Sequence, residues 1–334
     1  MSQPHTNDIT RKLAQAREKL IQEIGRCVIG QSDTIELLFL SLLCEGHVLL
    51  LGVPGVGKTL LASTLAKVLN LQFQRIQFTP DLMPGDITGS EVIEEDPVTR
   101  RQSRFFVPGP IFTNFLLADE INRTAPKTQS ALLQAMQERE VTAGRQTLPI
   151  ERPFLVVATQ NPIEQEGTYP LPEAQLDRFM FCIRMEYPTV AEEMEIVRTT
   201  TGIQNEGSRP LFTREEIMEL QTIVRGVPVA DDVISYAARL VSATRPIGDQ
   251  ASPLAARYVN CGASPRATQS LVLGGKARAL LHGRLQVDFA DIQALAPSVL
   301  RHRLLLNYRS RADQITPEKI IVDLLSAVPR EATR

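Results

Sequence analysis

Short runs of apolar residues, each of strand length, recur through the first half of the chain. The runs lie at 48–51, 115–118 and 154–159, and further candidate strands lie at 72–78 and 179–185. Helical patterns separate these runs, which is typical of strands in a buried parallel sheet. The pattern therefore predicts an α/β fold in which helices cover the sheet.

The periodicity becomes helical after Tyr187-Pro188. Thr189 and Glu192 form a capping-box pattern that starts a helix directly after this proline. We therefore predict two domains, an α/β domain at residues 1–187 and a smaller all-α domain at residues 188–334.

Two segments rich in glycine and proline interrupt the α/β domain, near 84–112 and 139–153. The first contains β-prone stretches at 90–93 and 104–107 around a polar turn, and the second has Gly144 at its predicted tip. Both patterns predict inserted hairpins. They are either surface decoration or elements that contact a substrate or partner in a central channel.

The residues after the first apolar run form a complete phosphate-loop motif, G-x-x-x-x-G-K-[ST]. Backbone N–H groups of such a loop point at phosphate oxygens, and the following helix adds partial positive charge. Lys58 can reach the β- and γ-phosphates, and the Thr59 hydroxyl can ligate Mg²⁺. The alternative, a glycine-rich turn without a ligand, leaves the lysine unexplained. The predicted nucleotide-contacting residues of this segment are Gly52, Pro54, Gly55, Val56, Gly57, Lys58, Thr59 and Leu60.

Two carboxylates, Asp119 and Glu120, end the second apolar run. At the carboxyl end of a strand, Asp119 can face the Mg²⁺ held by Thr59, and Glu120 can accept a proton from an attacking water. Standing alone, the pair would be interpreted as a solvated strand end, but here it follows a phosphate loop. No Asn-Lys-x-Asp element for guanine recognition is found, so ATP is the expected nucleotide.

The third apolar run ends in Gln160-Asn161-Pro162. A polar amide at the tip of a neighbouring strand can orient the attacking water or touch the γ-phosphate, and Asn161 is the candidate. The alternative is an ordinary Asn-Pro turn.

Composition narrows the range of functions. The chain has 334 residues and a formal net charge of −2, which gives no global electrostatic basis for nucleic-acid binding. Its four cysteines show no C-x-x-C pair and no metal-ligand spacing with histidine. The first residues do not look like a signal peptide and the apolar runs are too short to span a membrane, so a cytoplasmic location is expected.

Taken together, these motifs resemble those of the AAA+ ATPases and, within them, the MoxR family. The resemblance rests on residues 52–59, 119–130, 131–141, 158–162 and 166–179. It implies a phosphate-loop AAA+ domain with three αβα layers around a central parallel sheet, followed by a smaller all-α lid domain. It also implies that ATP and Mg²⁺ are the cofactors.

The same resemblance suggests roles for residues outside the motifs already described. Val28 and Ile29 look like the pair that lies against adenine, the alternative being a hydrophobic hinge. Arg178 resembles the arginine finger that reaches the neighbouring subunit's site, the alternative being a local ion pair with Asp177. Arg266 resembles the lid arginine that contacts the nucleotide of its own chain.

Arg266 has an independent argument from its position. It follows a predicted N-cap serine and proline, so it lies in the first turn of a helix, where a cation opposes the helix dipole. A bound anion would compensate for that disadvantage, although a solvated arginine is the alternative. Arg123, just after the carboxylate pair, could also face a subunit interface and is left unassigned.

The function expected from the sequence is Mg²⁺-dependent ATP hydrolysis by a ring of identical subunits, hexameric by resemblance. The family implies chaperone-like remodelling or maturation of a partner protein, often one with a von Willebrand A domain or a metal-dependent enzyme. The alternative is a nucleic-acid motor related to helicase-type ATPases, against which the net charge of −2 and the low aromatic content of 5% stand.

Overall fold

The computed structural model describes residues 3–95, 100, 102–143, 146–162, 167–202, 208–248 and 250–330. Two positions used in the sequence analysis, Gly144 and Glu166, lie outside the described residues. None of the helices within these ranges is both long and apolar enough to cross a bilayer.

The elements alternate as predicted in the first half of the chain and are mainly helical in the second half. In chain order the strands are β1 (Val48–Gly52), β2 (Phe73–Gln77), β3 (Gly89–Glu95), β4 (Gln102–Pro108), β5 (Phe115–Asp119), β6 (Glu140–Ala143), β7 (Gln146–Pro149), β8 (Leu155–Gln160), β9 (Phe181–Met185), β10 (Val259–Cys261) and β11 (Leu305–Leu306). The α-helices are α1 (Gln3–Gly25), α2 (Ser32–Leu43), α3 (Lys58–Val68), α4 (Pro84–Thr88), α5 (Pro126–Glu138), α6 (Glu173–Leu176), α7 (Val190–Thr201), α8 (Arg214–Gly226), α9 (Asp231–Ser242), α10 (Pro253–Tyr258), α11 (Pro265–Leu281), α12 (Phe289–Leu300), α13 (Tyr308–Ala312) and α14 (Pro317–Ala327). Two 3₁₀ turns span Ile121–Arg123 and Arg301–Arg303.

Five of the described strands form one parallel sheet in the order β2-β5-β8-β1-β9. Successive side chains along each strand point to two separate apolar cores, as the two-residue strand period requires. Leu50 and Leu117 join the core that contains α2 and α3, whereas Leu49 and Leu116 join the core that contains α5. This arrangement confirms the predicted three-layer α/β/α domain with a central parallel sheet.

The core on the α2 face continues into the C-terminal helices. It includes Phe39 of α2 together with Ile217 of α8 and Tyr236 of α9. The side-chain amide of Gln221 in α8 also donates to the buried carbonyl of Leu42, at 2.8 Å. The lid therefore shares one apolar core with the sheet domain.

The lid contains one feature that an all-α prediction leaves out. Strands β10 and β11 form a short antiparallel pair within the helical region. They are only three and two residues long. The helix boundaries agree with the caps expected from sequence, because Thr189 accepts from the Glu192 amide at the start of α7 and Ser264 accepts from the Arg266 amide at the start of α11.

Antiparallel hairpins occupy both segments that interrupt the α/β pattern, β3 with β4 and β6 with β7. At the base of the first hairpin Gly89 has a φ of +94°, and a Cβ there would lie 2.3 Å from the Val107 carbonyl oxygen. The position therefore requires glycine. Four large apolar side chains on this hairpin are exposed, namely Val92, Ile93, Phe105 and Val107.

Candidate active site

The phosphate loop connects the carboxyl end of β1 to the start of α3. Gly55 and Gly57 have φ values of +86° and +83°, which only glycine adopts without strain. Gly57 is the N-cap residue and has no side chain to accept from the first turn of α3, so the N–H groups of that turn are available to an anion. The Lys58 ammonium donates to the carbonyls of Gly52 and, at 3.1 Å, Val53 of its own loop.

A cleft of about 450 Å³ lies beside this loop. Val28 and Ile29 line it from the N-terminal segment, Val56 and Leu60 from the phosphate loop and α3, and Ile196 from helix α7. The structure thus brings the predicted adenine-contacting pair to the phosphate loop and adds an apolar wall from the lid. An apolar cleft next to a set of N–H donors has the shape of a site for a base and its phosphates.

Asp119 is the last residue of β5 and is only 7% exposed. In the sheet order, β8 alone separates β5 from β1, so Asp119 and the phosphate loop are two strand spacings apart, about 10 Å. The Asp119 carboxylate accepts from the Thr159 hydroxyl at 2.6 Å and from the Arg75 guanidinium at 2.7 Å. Its two oxygens are therefore fixed at the carboxyl edge of the sheet, where the phosphate loop begins.

Glu120 follows directly and adopts a left-handed backbone, with φ of 57°. This conformation costs a non-glycine residue about 1–2 kcal/mol, and such strain concentrates at functional positions. The Glu120 carboxylate accepts from Gln77 at 2.8 Å and from Arg123 at 2.9 Å. Its N–H donates to the same Thr159 hydroxyl that donates to Asp119, at 2.8 Å. One threonine hydroxyl therefore binds both the Asp119 carboxylate and the Glu120 backbone.

Arg75, Gln77 and Thr159 are the polar partners that sequence reasoning missed. The sequence shows that Arg75 and Gln77 are alternate residues at the end of β2, so their side chains lie on the same face of the strand. Their contact with the carboxylates could not be predicted without knowing that β2 pairs with β5, which puts Gln77 opposite Asp119. Arg123, left unassigned from the sequence, contacts the carboxylate of Glu120.

Asn161 comes directly after β8, the strand between β5 and β1. It is buried, with 5% of its surface exposed. The structure therefore places this amide at the sheet edge that also carries the phosphate loop, Asp119 and Glu120.

Arg178 and Arg266 lie elsewhere. Both line a cavity of about 500 Å³ with Gly46 and His47, which precede β1, so the cavity is at the amino edge of the sheet. The phosphate loop is at the other end of β1, about 16 Å away along a five-residue strand. The expected contact of Arg266 with the nucleotide of its own chain is therefore not what this arrangement offers, because packing of α11 puts Arg266 in the same cavity as Arg178.

Charged groups of both signs line this second cavity, and guanidinium groups exceed carboxylates. Burial alone would raise the pKa of Glu45, but the positive charges of Arg139, Arg152 and Arg225 hold it below its usual range. Asp177 does not serve Arg178 as the local partner considered from the sequence, since its carboxylate accepts from the Arg303 guanidinium and the Ser264 hydroxyl, both at 2.8 Å. The Arg178 guanidinium donates to the Leu133 carbonyl at 2.8 Å.

Two family models match this chain, one in each domain. The profile of the ATPase family associated with various cellular activities matches residues 47–181, and the AAA lid domain matches residues 251–324. A Mycobacterium tuberculosis protein named chaperone MoxR1 is 44% identical over 311 residues, covering 93% of this chain and 81% of the relative. The chain belongs to the MoxR family of AAA+ ATPases.

Two further similarities extend over nearly the whole chain. The MoxR protein of Paracoccus denitrificans is 33% identical and is covered over 90% of its length. A crystal structure of a candidate ATPase from Cytophaga hutchinsonii superposes with a TM-score of 0.88 at 40% identity, covering 96% of this chain and 97% of that one. The fold of this MoxR-family chain is thus shared in full, lid included.

The donor set at the carboxyl edge of this MoxR-family sheet fits a magnesium nucleotide. Mg²⁺ commonly takes one or two protein oxygens and completes its shell with phosphate oxygens and water. The Thr59 hydroxyl and the Asp119 carboxylate offer oxygens of the kind that could hold Mg²⁺. The loop N–H groups and Lys58 supply the donors that phosphates need.

Proposed function

We propose that this MoxR-family protein hydrolyses ATP in a ring of its own copies. The observation that supports the proposal is that the nucleotide-binding residues and the two arginines lie at opposite edges of one sheet. The phosphate loop and both carboxylates lie at the carboxyl edge, whereas Arg178 and Arg266 lie at the amino edge. One chain cannot bring both edges to one phosphate, but head-to-tail subunits can. Repeated head-to-tail contacts form a ring when the rotation between subunits closes.

Each residue then has a distinct task at a shared interface. The loop N–H groups and Lys58 bind the phosphates, and Val28 and Ile29 lie against the base. Thr59 and Asp119 would hold Mg²⁺, which when bound neutralises phosphate charge. Glu120 accepts a proton from the water that Asn161 helps to orient, as that water's oxygen bonds to the γ-phosphorus and the bond to the β-phosphate oxygen breaks.

Arg178 and Arg266 act from the neighbouring subunit. Guanidinium groups spread over phosphate oxygens where negative charge develops, which raises hydrolysis without affecting the binding pocket of the arginine's own chain. Placing Arg266 in this role replaces the within-chain contact expected from the sequence. The support is its position in the same cavity as Arg178.

The work done by hydrolysis is proposed to be remodelling of a client protein. The exposed apolar side chains of the β3–β4 hairpin offer a contact surface, and the name chaperone carried by a relative with 44% identity points the same way. A hexameric ring, a cytoplasmic location, a von Willebrand A-domain partner and maturation of a metal-dependent enzyme are the finer parts of this proposal, and they rest on family resemblance.

The test is substitution of the proposed base. Glu120→Gln should bind ATP and Mg²⁺ with unchanged affinity and lose turnover by roughly a hundredfold or more, because the amide cannot accept the proton. Glu138→Gln, at the exposed end of α5, makes the same charge change outside the site and should keep full turnover. Phosphate release that survives in Glu120→Gln would overturn the assignment of the base.

A further inference from the structure

Arg303, in the 3₁₀ turn after α12, has a side chain that is only 2% exposed. An arginine has five N–H donors in a rigid planar fork, and here five bonds satisfy them. The Nε donates to the Asp177 carboxylate at 2.8 Å, and Nη2 donates to the Asp177 and Phe179 carbonyls at 3.3 and 2.7 Å. The Nη1 donates to the Met180 carbonyl at 3.2 Å and to the Val299 carbonyl of α12.

Four of these five bonds go to residues 177–180, the turn that carries Arg178. This turn lies between the end of α6 and the start of β9. Its N–H groups bond within the sheet domain, for example Met180 N–H to the His47 carbonyl at 2.8 Å. The carbonyls of Asp177, Phe179 and Met180 accept from Arg303 of the lid, and the Phe179 carbonyl also accepts from the His302 Nε2 at 3.0 Å. The orientation of the turn therefore depends on a residue of the other domain.

The Asp177 carboxylate extends this connection to Arg266. Its second oxygen accepts from the Ser264 hydroxyl at 2.8 Å and lies 3.8 Å from the Arg266 guanidinium. The Ser264 hydroxyl in turn accepts from the Arg266 N–H at 3.1 Å. Arg303, Asp177 and Ser264 therefore form one hydrogen-bonded cluster that spans the turn bearing Arg178 and the helix start bearing Arg266. We call it the 177–264–303 cluster.

We propose that Arg303 is a positioning residue that sets the geometry of Arg178 and, through Asp177, of Arg266. The inference rests on the proposed function, in which these arginines act on the nucleotide of the neighbouring subunit. Arg303 touches no nucleotide itself. Because it belongs to the lid, the position of one subunit's lid controls hydrolysis in the adjacent subunit.

Arg303→Lys is the sharpest variant, because it keeps the charge and loses the planar fork. Its own nucleotide cleft is untouched, so ATP affinity should be unchanged. Hydrolysis should fall about ten- to hundredfold, the cost of misplacing a catalytic group by about 1 Å. Arg301→Lys is the matched control. Arg301 lies in the same 3₁₀ turn and also binds the sheet domain, but through the Cys182 carbonyl of β9 rather than the 177–180 turn.

Mixing mutant subunits distinguishes a positioning role of Arg303 from a general structural defect of the lid. Arg303→Lys chains keep an intact pocket, and Glu120→Gln chains keep an intact arginine edge, so mixed rings should regain activity. Mixing Arg303→Lys with Arg178→Ala should restore nothing, since every interface then lacks a correctly placed Arg178. Failure of Glu120→Gln to restore activity, or full activity in Arg303→Lys alone, overturns the inference.

A parallel mixture tests the proposed function independently. Arg178→Ala with Glu120→Gln should regain activity if Arg178 acts between subunits, and if that mixture fails in rings of confirmed mixed composition the proposed function itself is wrong. Should Arg303→Lys not fold, as judged by its thermal transition, Asp177→Asn replaces it, because it keeps the side-chain shape and weakens the same cluster. It should give the same pattern of restoration, and the opposite pattern counts against the inference.

Discussion

Replacing Lys58 with alanine should weaken ATP binding by about a hundredfold. In the structure the ammonium donates to the neutral carbonyls of Gly52 and Val53. When a nucleotide binds, these acceptors are exchanged for charged phosphate oxygens, and a contact of that kind is worth about 3 kcal/mol. A loss of that size corresponds to about two orders of magnitude in Kd.

The measurement is calorimetric titration with a non-hydrolysable ATP analogue in the presence of Mg²⁺. Lys67→Ala is the matched control, because Lys67 is an exposed lysine in the last turn of the same helix α3. Both variants lose one positive charge, so only a local contact distinguishes them. Equal affinities for the two variants would refute the phosphate-loop assignment of Lys58, provided that both proteins melt at the wild-type temperature.

Three other predictions address the metal, the rival function and pH. Asp119→Asn should raise the Mg²⁺ concentration needed for half-maximal hydrolysis, measured by metal titration, whereas an unchanged requirement would remove Asp119 from the metal site. Single-stranded DNA at about 0.15 M salt should neither bind tightly nor stimulate hydrolysis, and strong stimulation would favour the nucleic-acid motor. Burial lowers the pKa of His47 to about 4, so the free energy of unfolding should fall by about 2 kcal/mol between pH 7 and pH 5. In His47→Gln the free energy of unfolding, measured by urea titration, should depend less on pH.

The sign of the His47 effect follows from its partners. The Val156 N–H donates to its Nδ1 at 3.0 Å, so the proton is on Nε2, which donates to the Met136 carbonyl at 3.1 Å. The ring is therefore neutral when folded, and the unfolded chain binds a proton more readily below pH 6.5. Glutamine can make both bonds without titrating, which is why it is the chosen substitution.

The carboxyl edge of the sheet could be predicted well because its residues follow strands directly. Asp119, Asn161 and the phosphate loop each come after an apolar run, and parallel strands end at a common edge. Their approximate meeting point thus needs only the strand pattern. The contacts of Arg75 and Gln77 with the two carboxylates needed the strand order, which brings β2 beside β5 and leaves β1 two strands away.

The position of Arg266 could not be predicted from the sequence, for a different reason. Its helix start, with Ser264 as N-cap, is a local feature and is present as predicted. Which edge of the sheet that helix start faces depends on how the whole lid packs, including the burial of Arg303 against the 177–180 turn. The β10–β11 pair was missed because strands of two or three residues leave no periodic signal.

The placement of the loop and the arginines on opposite edges of one sheet changes what counts as an enzyme unit. Under the proposed mechanism a catalytic centre belongs to a pair of touching edges, not to a chain. An open row of subunits has an idle phosphate loop at one end and an idle arginine edge at the other, so closure alone lets every chain turn over. A substitution that inactivates the phosphate loop abolishes hydrolysis only in its own chain. A substitution that inactivates the arginine edge abolishes hydrolysis in the neighbouring chain.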